Sequence, residues 1–489
     1  MRAVGPLALQ APDVEGSGPV RAVVVGAGVG GLACAARLAA TGHEVTLCEA
    51  AATVGGKLGT FERDGFRFDT GPSLLTMPRV FEDLFASTGG WPGDLVLSPL
   101  DPLIRHRFTD GSSFDSGPDV HASLEAWSPG AGDDWAGFLD RAERIWQASK
   151  KPFLESALHG SRTLAALTLK HPGDLATLAP GRSLRDLGRR HLRDPRLRMV
   201  LDRYATYTGS DPRRAPAALA AVPYVEHAFG GWWLDGGLHR LVDALLERCL
   251  SLGVEVRTST RVTRIAPPVV SLEDGELVAD VVVANADAAH VYGDLVDCPP
   301  AARRLARATP SLSGFVLLLA LRGETPGLAH HTVLFPDDYD AELDAVFGTR
   351  PADDPTVYLS RPPGTAPHGH EALFVLVNAP RHGPVDWHDQ PGYADHVLEV
   401  MARRGVDVRD RVLWREVITP ADLEARTGAV GGAIYGTSSN GPIAAFLRPA
   451  NKSPVPGLFL VGGSSHPGGG LPLVALSAKI VAGLIGPAT

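Results

Sequence analysis

The pattern of apolar and polar positions near the start of the chain alternates between strand-length and helix-length segments. Ala22–Val25 is a short, β-branched apolar run, which predicts a buried parallel strand. Leu32–Ala40 has small and apolar residues over a helical length, and Gly42 is placed to end that helix. A second strand is predicted over Glu44–Glu49. A strand, a helix and a strand in this order are typical of a parallel α/β unit.

Further along the chain the pattern predicts a helical region and then two groups of strands. Asp133–Lys150 has aromatic and apolar side chains at helical spacing, and Ser183–Val200 is predicted as one helix with Ser183 as its N-cap. A strongly periodic helix over Leu238–Cys249 precedes strands and a hairpin that return to the first sheet at Ala279–Asn285. Five further strands are predicted to form a separate sheet: Phe315–Arg322, Thr332–Phe335, Thr356–Leu359, Leu373–Asn378 and Val412–Ile418.

Glycines occupy the turn between the first predicted strand and its helix. Gly26, Gly28 and Gly31 have the spacing of a dinucleotide-binding turn, in which they permit the tight turn, a close approach to a pyrophosphate and close helix packing. Glu49 ends the next strand, where a carboxylate can accept hydrogen bonds from a ribose diol. A helix-capping loop alone would explain the glycines, but not Glu49 as well. The pattern therefore favours a dinucleotide cofactor.

The residues after Glu49 indicate which dinucleotide. Val54-Gly55-Gly56-Lys57 offers two glycines and a cation for a second phosphate or ribityl contact, and Asp64–Ser73 contains the run Phe-Asp-Thr-Gly-Pro-Ser. In order and spacing these elements resemble the N-terminal region of FAD-dependent amine oxidases and carotenoid desaturases. The resemblance implies FAD, with the Gly-Pro run near the flavin.

The resemblance extends from about Val20 to Ile485. It is carried most clearly by Gly436–Pro442, Ala445–Pro449 and Val461–Leu473, which resemble the bacterial phytoene desaturase family and are most similar to its hydroxycarotenoid 3,4-desaturase subgroup. The sequence departs from the common family pattern at Trp232-Trp233 and at Lys57, where arginine is frequent. Motif and resemblance together imply the following FAD contacts: Gly26, Ala27, Gly28, Gly30, Gly31, Glu49, Ala50, Gly56, Lys57, Gly71, Pro72, Ser73, Val262, Asn285, Gly463, Leu473 and Val474.

The implied fold class is α/β, with a Rossmann-type FAD-binding domain split in sequence, a mixed β-sheet substrate domain and a helical membrane-associated lobe. We expect the FAD-binding domain to comprise residues 19–80, 227–300 and 415–489. The substrate domain would comprise 81–115 and 301–414, and the helical lobe 116–226. Residues 1–18 are predicted to be a disordered leader.

Composition and charge narrow the functional classes. The 489 residues have a formal net charge of −9 and no evident basic stripe, which argues against nucleic-acid binding. The four cysteines are scattered, so neither a disulfide framework nor a metal site is expected, and a cytoplasmic location is the simplest interpretation. The sequence contains no run of 18 apolar residues, so no transmembrane helix is predicted. Phe153–Leu178 places leucines beside cations, a pattern compatible with peripheral contact to the cytoplasmic membrane or with a packed helical cap.

The resemblance implies an enzyme that introduces C–C double bonds into an acyclic carotenoid or related apolar polyene, by hydride transfer to the flavin N5. His466 is the candidate acid/base residue, with Glu226, His227 and Asp287 as weaker candidates. Three alternatives remain open: a flavin amine oxidase, an oxidoreductase of another secondary metabolite, and a non-catalytic prenyl-lipid carrier, although the intact glycine fingerprint disfavours the last. The sequence leaves the oligomeric state open.

Overall fold

A computed structural model describes residues 18–157, 172–441, 444 and 448–488. Nearly all of the predicted leader and much of the segment Phe153–Leu178 lie outside these residues, as does part of the Ala445–Pro449 motif. Within the described ranges, no helix is both long and apolar enough to cross a membrane.

The described strands are short, and most lie where apolar runs predicted them. In chain order they are β1 (Arg21–Val25), β2 (Glu44–Cys48), β3 (Thr60–Arg63), β4 (Phe66–Asp69), β5 (Leu97–Pro99), β6 (Ile104–Arg107), β7 (Ser113–Ser116), β8 (Trp232–Leu234), β9 (Glu255–Arg257), β10 (Val262–Ala266), β11 (Val269–Leu272), β12 (Gly275–Val278), β13 (Val281–Ala284), β14 (Ser313–Arg322), β15 (His331–Leu334), β16 (Val357–Ser360), β17 (His370–Ala379), β18 (Val412–Ile418) and β19 (Leu458–Leu460).

The described α-helices connect these strands or form a lobe of their own. In chain order they are α1 (Val29–Ala40), α2 (Arg79–Ala86), α3 (Val120–Trp127), α4 (Ala131–Ser149), α5 (Pro172–Thr177), α6 (Leu184–His191), α7 (Pro195–Thr206), α8 (Ala221–Phe229), α9 (Arg240–Ser251), α10 (Ala288–His290), α11 (Pro299–Arg307), α12 (Tyr339–Val346), α13 (Tyr393–Arg403), α14 (Pro420–Thr427) and α15 (Leu471–Ile485).

A five-stranded parallel sheet collects strands from three distant parts of the chain. Its order is β19-β13-β1-β2-β9, and β1 lies at the centre with all but its first residue buried. Val23 pairs with Val282 on one side and with Thr46 on the other. Burial on both faces explains why β1 and β13 are nearly continuous apolar runs rather than alternating ones. The carboxyl ends of β1, β2 and β13 consequently meet at one edge.

A second, seven-stranded sheet has the order β18-β14-β17-β16-β15-β6-β7. All of its pairs are antiparallel except β15 with β6, so the sheet is mixed. The five strands predicted for a separate sheet are all in it, and the β6–β7 hairpin extends it. One face packs on α13 through a core that includes Leu317, Val375 and Val397. The other face is available to cover the edge of the parallel sheet.

The helices α3 to α8 form a helical region in which α4 packs against α3, α6 and α8, and α3 packs against β7. Helix α4 buries Trp135 and Phe138, as the periodicity predicted. The single helix predicted over Ser183–Val200 is wrong, because the chain breaks between α6 and α7 and Pro195 begins a new helix with Asp194 as its cap. Ser183 is the N-cap of α6 and forms a capping box with Asp186.

Candidate functional site

The turn from β1 to α1 is held by backbone contacts at the edge where parallel strands meet. Gly26 has φ 97°, and its N–H donates to the Cys48 carbonyl at 2.7 Å. A Cβ added to Gly31 would lie 2.0 Å from the Gly26 carbonyl oxygen, so a side chain at position 31 would displace the turn. The Asn285 side-chain amide donates to the same oxygen at 3.1 Å. Asn285 thereby joins the end of β13 to the turn.

The Glu49 carboxylate is fixed across this turn. One oxygen accepts the Ala27 backbone N–H at 2.7 Å, and the other accepts the Ala51 N–H at 2.9 Å. Each carboxylate oxygen retains a second lone pair. Glu49 therefore both braces the turn and presents a preoriented acceptor at the carboxyl end of β2.

Lys57 is half-buried and joins the N-terminal segment to the C-terminal third of the chain. Its ammonium donates to the backbone carbonyls of Ala433 at 3.0 Å and Ile434 at 2.7 Å. Burial lowers the pKa of Lys57, while the Asp287 carboxylate opposes that shift. Close packing continues at Gly71, where an added Cβ would lie 1.9 Å from the Lys57 carbonyl oxygen.

One cavity of about 1200 Å³ begins at the glycine turn and continues between the two sheets and the helical lobe. Of the predicted cofactor residues, Ala27 and Gly31 lie behind its wall, and Ala27 is fully buried. The others line it: Gly26, Gly28, Gly30, Glu49, Ala50, Gly56, Lys57, Gly71, Pro72, Ser73, Val262, Asn285, Gly463, Leu473 and Val474. The fold thus brings residues from three distant segments to a single continuous space.

The comparison with known families agrees with this geometry. Residues 29–486 match the family described as flavin containing amine oxidoreductase. The chain belongs to this family. It is therefore an FAD-dependent oxidoreductase.

Curated relatives match the flavoprotein over almost its whole length. It is 34% identical over 485 residues to the 4,4'-diapolycopene oxygenase of a Methylomonas species, covering 94% of this chain and 97% of that protein. It is 33% identical to the 1-hydroxycarotenoid 3,4-desaturase of Flavobacterium sp. (strain P99-3), covering 95% and 99% of the two chains. With the hydroxyneurosporene desaturase of Cereibacter sphaeroides the identity is 36%, covering 94% and 96%.

Solved structures show the same fold at lower identity. The cyclohexylamine oxidase of Brevibacterium oxydans aligns with a TM-score of 0.62 at 15% identity, covering 96% of this chain and 99% of that one. The conjugated-linoleic-acid-producing fatty acid isomerase of P. acnes aligns with a TM-score of 0.58 at 17% identity, covering 94% and 98%. The overall architecture is therefore that of the flavin amine oxidases, with mixed α/β content and a parallel sheet.

The backbone around α1 fits a bound dinucleotide. Helix α1 has Gly28 as its N-cap, with no side-chain cap and no acidic residue in the first turn. Its first N–H groups and the positive end of its dipole are therefore available to a phosphate. A Cβ at Gly28 would lie 3.0 Å from the Asn285 amide nitrogen, and one at Gly30 would lie 2.6 Å from the Asn285 amide oxygen. Only a bare backbone fits this wall of the cavity.

His466 lies away from the cavity wall in the flavoprotein. Its Nε2 is 2.9 Å from the Ser156 carbonyl oxygen, and its backbone carbonyl accepts from the Asn451 amide at 2.8 Å and from the Ser477 hydroxyl at 2.8 Å. Burial lowers its pKa to about 4. These contacts hold residues 462–470, the glycine loop, in place, and the acid/base role of His466 stays a prediction.

The weaker acid/base candidates occupy different positions. His227 is outside the cavity lining and lies 3.3 Å from the Trp135 indole nitrogen, and burial lowers its pKa to about 4. Glu226 and Asp287 line the cavity. Asp287 caps α10 with one oxygen, while its other oxygen is buried without a hydrogen-bond partner among the described residues. Glu226 and Asp287 therefore add their carboxyl groups to that of Glu49 in the lining of the cavity.

A group of polar and aromatic side chains lies at the cavity, and the sequence analysis named only Ser73 and Glu226 among them. Arg203 is 9% exposed, and its guanidinium donates to the Tyr207 hydroxyl at 2.5 Å. The Ser73 and Tyr358 hydroxyls lie 2.6 Å apart. Helical periodicity around Arg203 gives no sign in the sequence that this cation would face inward. We call Arg203, Tyr207, Tyr358 and Ser73, with Glu226 and its partner Tyr204, the polar cluster.

Another buried cation lies near the glycine loop. The Arg448 guanidinium donates to the Tyr435 carbonyl at 2.8 Å and to the Gly463 carbonyl at 3.2 Å. Burial lowers its pKa to about 10, and the Asp287 carboxylate opposes the shift. Tyr435 lines the cavity and contacts Gly469, where an added Cβ would lie 2.3 Å from its ring. An aromatic side chain thus lies beside the loop, although the loop sequence contains none.

Proposed function

We propose that this flavoprotein is a desaturase that introduces C–C double bonds into an acyclic carotenoid or a related polyene. The continuous cavity carries the proposal, because it joins the dinucleotide-binding edge to a long space with largely apolar walls. The apolar side chains on those walls include Val316, Leu376, Phe374, Val222 and Trp146. The named desaturases and oxygenases of carotenoids among its relatives support the same substrate class.

The parallel sheet is proposed as a Rossmann-type domain that holds FAD. Glu49 would accept from the ribose diol, and Gly28 and Gly30 would leave room for the pyrophosphate at the start of α1. At the opposite end of the cofactor, Gly71 to Ser73, Gly463, Leu473 and Val474 would surround the flavin. We also propose that the chain is divided, as predicted from the sequence, into a cofactor domain, a substrate domain and a helical lobe.

Bound FAD supplies the two-electron acceptor that the removal of two hydrogens from adjacent carbons requires. The protein's own contribution is orientation and exclusion of water. Strands β14, β16 and β17 place their cavity-facing residues against one side of the substrate space, and α4, α7 and α8 close the other. An apolar, enclosed space suits a substrate whose reacting carbons need positioning rather than acid/base activation.

The amine oxidase alternative fits the cavity less well. Amine substrates carry an ammonium group, and Arg203 already places a cation among the residues that line the space. Like charges in a poorly solvated cavity repel strongly. Tyrosines at positions 207, 358 and 435 supply aromatic surface, but this surface also suits the face of a polyene.

Peripheral contact with the cytoplasmic membrane is part of the proposal, because a long polyene is dissolved in lipid. The leucine-rich, cation-flanked pattern of Phe153–Leu178 motivates it. A Leu164→Asp/Leu167→Asp variant should bind liposomes less than the wild type, measured by flotation, while keeping its FAD content. Equal flotation of the two proteins would count against this contact.

Anaerobic mixing of the FAD-loaded protein with acyclic carotenoids in liposomes tests the function. We expect the oxidised flavin absorbance to bleach while the polyene absorbance shifts to longer wavelength, since each new double bond extends the conjugation. The same experiment with primary amines serves as the comparison. Bleaching by amines without bleaching by any carotenoid would establish the amine oxidase alternative instead.

A further inference from the structure

The polar cluster lies on the wall of the cavity where α7 and α8 face the seven-stranded sheet. Arg203 is near the end of α7, Glu226 is in α8, and Tyr358 is in β16. All three line the same cavity, and apolar residues make up much of the surrounding wall. Polar groups placed in such a wall fix the orientation of a bound molecule.

Arg203 has few partners for a buried cation. Among the described residues, Arg203 forms no ion pair with a carboxylate, and its only side-chain hydrogen bond is the one to Tyr207. Its guanidinium carbon lies 4.9 Å from the centre of the Tyr207 ring and 5.5 Å from that of Tyr358, so aromatic faces stabilise part of its charge. A guanidinium has five N–H donors. Donors therefore remain for a molecule in the cavity.

Glu226 supplies an acceptor in the same region. It is 2% exposed, and one carboxyl oxygen accepts from the Tyr204 hydroxyl at 2.5 Å. Its second oxygen has no hydrogen-bond partner among the described residues. This oxygen is not fully buried, so it can accept a hydrogen bond from a bound molecule. The Arg203 charge acts on Glu226, and the Tyr204 and Tyr207 rings are 5.2 Å apart. The donor and the acceptor thus belong to one connected cluster.

We propose that Arg203 and Glu226 form a subsite that binds a hydroxyl group at one end of the polyene substrate, which rests on the proposed function. A hydroxyl accepts an N–H from Arg203 and donates its own proton to Glu226, so it satisfies both groups at once. A carbonyl can accept from Arg203 but cannot donate to Glu226, so the second oxygen of the ionised carboxylate stays without a partner. A hydrocarbon end leaves the remaining Arg203 donors and that Glu226 oxygen without a partner, and an unpaired buried polar group is costly.

Such a subsite discriminates by the penalty it imposes on the wrong substrate. Sites built to bind a hydroxyl reject analogues that lack it more strongly than apolar pockets reject an extra group. The expected preference for a hydroxylated polyene is about 10-fold to 100-fold, which at about 1.4 kcal/mol per factor of ten lies within the cost of an unsatisfied buried group. The rest of the polyene contributes equally to the binding affinity of both substrates.

The test compares two acyclic carotenoids with the same chromophore, one with a terminal tertiary hydroxyl and one without. Binding to FAD-loaded protein is followed by tryptophan fluorescence quenching in detergent micelles, so the measurement does not require turnover. We expect the wild type to bind the hydroxylated carotenoid at least about 10-fold more tightly. Arg203→Met and Glu226→Met should bring the two affinities close together, while Arg203→Lys, which keeps a cationic donor, should retain part of the preference.

Arg198→Met is the matched control, because Arg198 is on the same helix but donates to the Leu192 and Arg193 carbonyls outside the cavity. It should keep the wild-type preference, and FAD content confirms that each variant is folded. Equal affinities in the wild type, or an unchanged preference in Arg203→Met, would overturn the subsite. Preferential binding without flavin reduction by either carotenoid would instead refute the desaturase function and leave the subsite in place.

Discussion

Glu226 is the residue at which burial has the clearest thermodynamic consequence. Burial raises its pKa to about 7, while the Tyr204 hydrogen bond and the Arg203 charge oppose the shift. The folded protein therefore binds this proton more tightly than the unfolded chain does, and the carboxyl is ionised above about pH 7. Its contribution to stability is complete below the ordinary glutamate pKa and is lost as the pH rises towards 7.

Glu226→Gln removes this dependence, because an amide does not ionise. We expect the free energy of unfolding of the variant, relative to the wild type, to increase between about pH 4.5 and pH 7 by roughly 3 kcal/mol. Urea denaturation of the FAD-loaded proteins at several pH values measures it. Glu247→Gln, at an exposed position on α9, is the control and should show no such trend. Parallel pH profiles for Glu226→Gln and wild type would contradict the prediction.

At the scale of elements, the contact between β1 and α1 depends on having glycine, without a side chain, at position 31. Gly31→Ala places a Cβ 2.0 Å from the Gly26 carbonyl oxygen, which belongs to the backbone and cannot rotate away. The turn must shift, and with it the Ala27 N–H that Glu49 accepts. We expect FAD affinity to fall by at least about 10-fold, measured by fluorescence of released flavin.

Gly137→Ala is the matched control for this substitution. Gly137 is in the helix α4, and an added Cβ there would meet nothing within 4 Å. Alanine favours a helix by about 1 kcal/mol over glycine, so this variant should bind FAD normally and unfold at a slightly higher temperature. Similar FAD affinities in the two alanine variants would refute the packing argument.

At the scale of the whole molecule, the cofactor is expected to hold distant segments together. The cavity wall includes Glu49, Asn285 and Gly463, which come from the three parts of the chain that build the parallel sheet. A ligand that binds only the folded state stabilises it by about 4 kcal/mol at 1,000 times its dissociation constant. We expect the melting temperature of the stripped protein to rise steadily with added FAD.

FMN serves as the control in this titration because it lacks the adenosine half that Glu49 is proposed to bind. It should raise the melting temperature much less than FAD at the same concentration, as followed by differential scanning calorimetry. A melting temperature that does not depend on FAD, or an equal effect of both nucleotides, would contradict the prediction.

Patterns among neighbouring residues in the sequence were enough to predict the cofactor-binding half of the molecule. The strands β1 and β13 are apolar on both faces, the glycine spacing is fixed by a turn of a few residues, and Glu49 follows its strand directly. Each of these features depends on neighbours in sequence, so the sequence alone predicted α/β architecture, a dinucleotide cofactor and the position of the acidic residue, and the family resemblance identified the cofactor as FAD.

Only the tertiary structure decided which side chains share the cavity. Arg203 and Glu226 lie on separate helices, and their common environment arises from the packing of α7 and α8 against the seven-stranded sheet. His466 follows a glycine loop that resembles a functional motif, yet its ring contacts Ser156, 310 residues away in sequence. Long-range packing sets the direction of a side chain and the polarity around it, and no local pattern records either.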